Sequence, residues 1–444
     1  QNYYLIRDAE CVTAVQPNIE PELIARFRQV GAKAHSAMDL INTYYEEWMP
    51  SLGIEGRPDL FGAILLTYCS VTEIPWQGGV IKGWLDTMCI GDTRTGKSQM
   101  AQRFVKVLGM GGYINGENAR RTGVIGGVQR FGDSWVVTWG AIPMNDRGLL
   151  MIDEASGLEV EDIKDLSSTR SSGAVTLNKI VKGEARARTR LLWFSNPRNG
   201  RNLSDFYWKG FGAFQEFIPV MEDQARFDLV ISAAREDVDV LGDFDYDTPV
   251  QVGPWRALFS LAWSIEADDI KITSEAKAEV RACAKDLNAK LGGGSLIVGV
   301  AVHEKLLRLA CAFAIASGSY DPVTGWLQVD ARYVRWAEEF LEVTLNKSSM
   351  AYGDYIREFK RAQAKRADNM QFIRTLIAVN PAIKALLTAS SFKGFQFQEI
   401  LGMSKDESSK IMSDLITRGL LRPGPSASYI PDKLLMEVAK QMDL

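Results

Sequence analysis

Gly91-Asp-Thr-Arg-Thr-Gly-Lys-Ser98 is a complete G-x-x-x-x-G-K-S phosphate loop, and its reading decides the fold. Gly91 and Gly96 let successive backbone N–H groups turn inward around an anion. Lys97 sets a cation against β- and γ-phosphates, and Ser98 offers a hydroxyl to Mg²⁺. The loop therefore predicts a nucleoside triphosphate with Mg²⁺, held by Gly91, Asp92, Thr93, Arg94, Thr95, Gly96, Lys97, Ser98 and Gln99. The apolar run Trp84–Ile90 suits a strand, and Gln99–Leu108 suits a helix whose positive end faces the same anion. Strand, loop and helix in that order predict an α/β P-loop core built on a parallel sheet.

Working outward, Val136–Trp139, Leu149–Ile152, Leu191–Phe194 and Phe217–Val220 join Trp84–Ile90 as expected strands of a core over 58–240. Leu149-Leu-Met-Ile-Asp153-Glu154 ends in two carboxylates. Asp153 can join the Mg²⁺ shell, and Glu154 can polarise an attacking water. Leu191–Phe194 leads to Asn196-Pro197. The Asn196 amide can orient water or sense the γ-phosphate, or it can be a turn residue before proline. Ala225-Arg226-Phe227-Asp228 places an arginine far in sequence from the loop. In isolation Arg226 reads as a surface ion pair with Asp223 or Asp228. In a ring of subunits it could instead enter a neighbour's site.

The 444 residues leave room for two or three domains, and a net charge of −4 excludes a uniformly basic coat but not a local basic channel. No apolar run is long enough to span a bilayer and no signal peptide pattern opens the chain, so no membrane partner and a cytoplasmic location are expected. Cys11, Cys69, Cys89, Cys283 and Cys311 are scattered without a C-x-x-C pair and read as buried reduced thiols. With only His35 and His303 beside them, no zinc site is expected. The chain opens on Gln1, so an upstream segment is expected.

Flanking regions change pattern. Residues 1–57 predict an N-terminal helical collar, with helices over Pro21–Val30 and Met38–Met49. Residues 241–350 predict a helical lid, including Val302–Ala316 and Ala331–Leu345. Residues 351–370 are a linker or a solvated helix. Residues 371–444 predict helix–turn–helix and a short hairpin, the order of a winged helix.

Taken in order, these elements resemble the AAA+ core of the minichromosome maintenance (MCM) helicases. The resemblance is carried by Gly91–Gln99, with Thr93 where that family usually has proline, and by Asp146-Arg-Gly148 ahead of the acidic strand. Asn196-Pro197 is similar to its first sensor, and Ala225-Arg226-Phe227-Asp228 to its arginine-finger motif. It covers 58–240 well, and the lid and winged helix in outline. It implies a homohexameric ring in which Lys97, Ser98, Asp153, Glu154 and Asn196 of one subunit meet Arg226 of the next. It also implies two DNA-contacting hairpins. One lies within Asn118–Phe131 and bears Arg120 and Arg121; the other lies within Ala174–Ala187 and bears Lys179 or, one register along, Lys182. Lysines that merely keep a hairpin edge soluble are the other reading.

Departures from the family are visible. Its second sensor arginine should fall near Val300–Glu304, where Ala301 and His303 stand with Lys305 and Arg308 beyond. The loop Ser167–Gly173 lacks the family's acidic and glutamine-rich stretch and leaves Arg170 as an interface candidate. No zinc-binding OB-fold region is visible upstream, which resembles reduced forms found on phages and bacterial mobile elements. The implied activity is an ATP-driven DNA helicase or translocase in replication. Its implied partners are single- and double-stranded DNA, and other replication proteins through the collar or winged helix. Two further classes stay open: a non-helicase AAA+ remodelling ATPase, and an ATP-switched DNA-binding initiator or loader.

Overall fold

Five short strands make the central sheet: β1 (Asp86–Gly91), β2 (Gly112–Asn115), β3 (Leu149–Asp153), β4 (Arg190–Ser195) and β5 (Leu229–Ala233). All pairs are parallel, in the order β5-β1-β4-β3-β2. Every residue of β1, β3, β4 and β5 is buried, as continuous apolar runs require when both faces are covered. The computed structural model describes residues 21–237 and 248–442, so Cys11 lies outside the described residues, while Cys69, Cys89, Cys283 and Cys311 are free and buried.

Two expected strands are corrected. Phe217–Val220 is not a strand: Phe217 closes the helix Lys209–Phe217, whose Phe211, Phe214 and Phe217 recur every three residues on its buried face. A four-residue apolar run does not distinguish strand from helix by itself. The remaining sheet positions go to Leu229–Ala233 and to the less apolar edge strand Gly112–Asn115. Val136–Trp139 belongs to a separate antiparallel hairpin, Gly126–Phe131 with Ser134–Trp139. That hairpin lies later than the expected Asn118–Phe131 insertion, because Arg121–Val124 forms a short helix ahead of it. The second hairpin, Ala174–Asn178 with Lys182–Arg186, falls within its expected span.

Helices Pro21–Lys33 and Ala37–Leu52 are packed into the same core as the sheet. Ser36 caps the second by accepting from Asp39 N, and Gly53 ends it in the left-handed conformation. Its Trp48 stacks at 4.2 Å on Phe104, from the helix that follows the phosphate loop, and meets Trp255 edge-on at 5.6 Å. Beyond β5 come helices Val252–Ser264, Ser274–Leu291, Val302–Ala316 and Ala331–Asn346. A small sheet of Ile270–Ile272, Trp326–Val329 and Tyr320–Asp321 interrupts them, unforeseen from the helical pattern. Among the described residues no helix is long and apolar enough to cross a membrane.

The chain divides into two units, residues 1–356 and 357–444. Where 351–370 was read as a linker or solvated helix, the helix Tyr352–Val379 runs through, and residues 361–368 are exposed on every side. The second unit holds helices Gly394–Leu401, Lys405–Thr417 and Lys433–Gln441 and a three-stranded antiparallel sheet of Phe392–Lys393, Ser428–Pro431 and Leu421–Pro423. Its own core includes Ile373, Leu387, Phe397, Leu415 and Leu435. This unit carries 14 Lys and Arg against 9 Asp and Glu, whereas the whole chain has 51 against 55.

Candidate active site

Because β4 lies between β1 and β3, the phosphate loop, Asn196 and the acidic pair emerge side by side at the C-terminal edge of the sheet. The loop is fixed by its neighbours. A Cβ at Gly91 would sit 2.2 Å from the Ala233 carbonyl of β5, so only glycine fits there. The Asp92 carboxylate accepts from Leu203 N at 2.7 Å and Arg235 N at 3.1 Å, bracing the loop from two sides. Thr95 Oγ1 donates to Asp92 O at 2.9 Å, and Gly96, at φ 73°, turns the chain into the helix Lys97–Leu108. That helix begins two residues before the expected Gln99. Asp92, Thr95 and Lys97 are buried, while Thr93, Arg94 and Gln99 are exposed.

Of the expected catalytic residues, Lys97, Asp153, Glu154 and Asn196 form one connected set with Ser98. Lys97 Nζ donates to Asp92 O at 3.0 Å and to Asn196 Oδ1. Asn196 Nδ2 donates to Glu154 Oε2 at 3.2 Å. Ser98 Oγ donates to Asp153 Oδ1 at 2.6 Å, and Glu154 N donates to the same oxygen at 2.9 Å. Burial lowers the Lys97 pKa, while Cys89, Glu154 and Asp153 oppose that shift. Burial, then the Asp153 charge, raises the Glu154 pKa. Glu154 also sits at φ 47°, a left-handed conformation that costs a non-glycine residue about 1–3 kcal/mol and collects at functional sites. The Ser98 hydroxyl and Asp153 carboxylate are hard oxygen donors, which fits Mg²⁺. Sequence reasoning missed Gln102, whose Nε2 donates to Asp153 Oδ2 at 2.9 Å. Its spacing four residues after Ser98, on the same helix face, was the available signal.

Arg226 is not brought into this set. In the β5–β1 register Leu229 lies opposite Thr87 and Ala233 opposite Gly91. Arg226 precedes β5, so it stands at the opposite edge of the sheet, about 17 Å from the loop at ~3.3 Å per residue. There it pairs with Asp223 at 3.5 Å and donates to Ser171 Oγ, with 32% of its side chain exposed. Beneath it lies a buried ionic group. Arg170 and Trp193 both donate to Asp86, and Arg308 Nε donates to Asp228 Oδ1 at 2.7 Å. Lys305 Nζ donates to the Phe227 and Ile297 carbonyls. Arg170, a candidate interface residue by sequence, is therefore buried, and Lys305 and Arg308 are committed to this far edge. His303 Nδ1 contacts Val300 O at 3.1 Å.

The two hairpins touch. A Cβ at Gly183 would lie 3.0 Å from Val137 Cγ2 and 3.2 Å from the Trp139 ring. Lys179 and Lys182 are exposed at the second hairpin's tip, whereas Arg120 and Arg121 precede the first hairpin. Arg120 is exposed, and Arg121 is ion-paired with Asp165 at 2.7 Å.

Comparison with known proteins finds similarity over the stretch that carries this site. Residues 30–233 match the MCM P-loop domain. The chain is 26% identical over 201 residues to the DNA replication licensing factor MCM3 of Entamoeba histolytica, covering 45% of this chain and 33% of that protein. It is 26% identical over 195 residues to the DNA replication licensing factor mcm2 of Xenopus tropicalis, covering 43% and 21%. It is 24% identical over 206 residues to the probable DNA helicase MCM9 of Oryza sativa subsp. indica, covering 41% and 31%. In these three the match takes in no more than 33% of the relative's length.

Proposed function

From the match of residues 30–233 to the MCM P-loop domain, we propose that this chain is an ATP-driven DNA translocase or helicase of replication whose sites are shared between copies in a ring, by family resemblance a hexamer. One observation carries the shared site. Arg226 stands a strand's length from its own phosphate loop and is partly exposed. From there it cannot reach its own chain's triphosphate, and its partial exposure supports a neighbour's as its destination. In this reading Lys97 binds the β- and γ-phosphates, Glu154 polarises the attacking water, and Asn196 orients that water through its contact with Glu154. Ser98 and Asp153 would hold Mg²⁺, which would neutralise phosphate charge when bound. A neighbouring copy's Arg226 meets the charge that develops on the γ-phosphoryl group, an effect that elsewhere amounts to about 10³–10⁵ in rate. Lys179 and Lys182 grip the DNA backbone in the pore, and Arg120 lends a further cation. The second unit, with its net positive charge and its helix, helix and hairpin order, acts as a winged-helix module on duplex DNA.

The test is subunit mixing. Arg226→Ala and Lys97→Ala proteins should each lose turnover by about 10³-fold or more, with Arg226→Ala still binding ATP. Mixed under exchange, they should regain a fraction of wild-type hydrolysis, because some interfaces then pair an intact Lys97 with an intact Arg226. Mixtures as inactive as the parents would refute the shared site.

A further inference from the structure

The first hairpin presents two unlike faces. Cross-strand partners share a face, so Gly126, Val128 and Arg130 stand with Trp139, Val137 and Trp135. The inner part of this face is covered, because Gly183 of the second hairpin closes on Val137 and Trp139. The outer part is open. Trp135 is 43% exposed, and Arg130 opposite it is held over the turn by Gly132 O at 3.0 Å and Asp133 at 3.4 Å. The turn is tight, with Gly132 at φ 59° in its first central position, as a type II′ turn needs. The neighbouring tip adds Lys179, Lys182 and Ile180, the last 72% exposed. A large indole left in water opposite Arg130, on a hairpin packed against one whose tip carries Lys179 and Lys182, has the chemistry of a stacking platform for bases.

We propose that Trp135 stacks on bases of single-stranded DNA while Lys179 and Lys182 hold the adjoining phosphates. The proposal rests on the reading of these hairpins as DNA-contacting. It adds a contact to the bases themselves, which cations at the phosphates do not make: duplex bases are stacked on each other and offer no face to an indole, whereas those of a single strand do. Stacking tolerates any base, which suits a motor that must move along arbitrary sequence.

The experiment compares an oligothymidylate with a strand of equal length carrying abasic sites, titrated against the full chain at several salt concentrations. Wild type should bind the base-bearing strand about five- to a hundredfold more tightly. Trp135→Ala should lose that preference and keep the salt slope, and Trp135→Phe should restore most of the preference. Lys179→Ala should do the reverse, lowering the log–log salt slope by about 0.7 and leaving the preference intact. Equal binding of both strands by wild type, or a preference that survives Trp135→Ala, overturns the stacking role; the hairpin reading then stands only if the Lys179 slope effect remains. A Trp135→Ala effect on association between copies, with the base preference unchanged, also overturns it and assigns the indole to an interface.

Discussion

Lys305 shows how far a single residue departs from its sequence appearance. It is 3% exposed, its ammonium donates to two carbonyls, and burial pushes its pKa down to about 7. An unfolded chain holds that proton to about pH 10.4. Between these values the unfolded state binds the extra proton, so stability rises with pH through the window and is lowest at and below pH 7. Lys305→Met should therefore raise the melting temperature most at pH 6–7, with the gain shrinking toward pH 9 at up to about 1.4 kcal/mol per pH unit. A gain independent of pH would mean that the lysine stays charged in the fold. The same residue shows why part of the site was illegible. Lys97, Ser98, Asp153 and Glu154 could be found because motif spacing fixes what the backbone does around them. Arg170, Lys305 and Arg308 look like free functional cations until Asp86 and Asp228, distant in sequence, are seen to engage Arg170 and Arg308. Gln102 was hidden because a glutamine on an amphipathic helix resembles any solvated polar residue.

At the scale of elements, the family resemblance put the second hairpin over its observed span, while the first was placed too early. Arg120-Arg121 drew attention to the start of the insertion, but Gly132-Asp133 is the turn that sets the strand register. Packing between the hairpins makes a separate prediction. Gly183→Val should force the Val137 and Trp139 contacts apart, costing about 1–3 kcal/mol as overpacking does. Hydrogen exchange should then quicken in both 126–139 and 174–186, with the rest of the sheet unaffected. Acceleration confined to 174–186 would show that the two hairpins do not brace each other. The strand Phe217–Val220 failed at this scale too, since a short apolar run carries no period long enough to separate helix from strand.

At the scale of the molecule, two cores are built by different parts of the chain. Residues 357–444 expressed alone should unfold cooperatively and retain helical circular dichroism, because Ile373, Leu387, Phe397, Leu415 and Leu435 close their own interior. A gradual, non-cooperative melt would show that this interior depends on the remainder of the chain. Residues 361–368 are the thin place. Eight exposed helical residues are held to the rest of their unit by little beyond the Asp368–Arg418 ion pair, so their shape rests largely on the intrinsic preferences of alanine, lysine, arginine and glutamine, each worth only tenths of a kcal/mol. Substitutions there escape the scrutiny that a packed interior imposes. Such a stretch is a natural splice point, where descent could exchange one terminal module for another while the interior of the larger unit goes untouched.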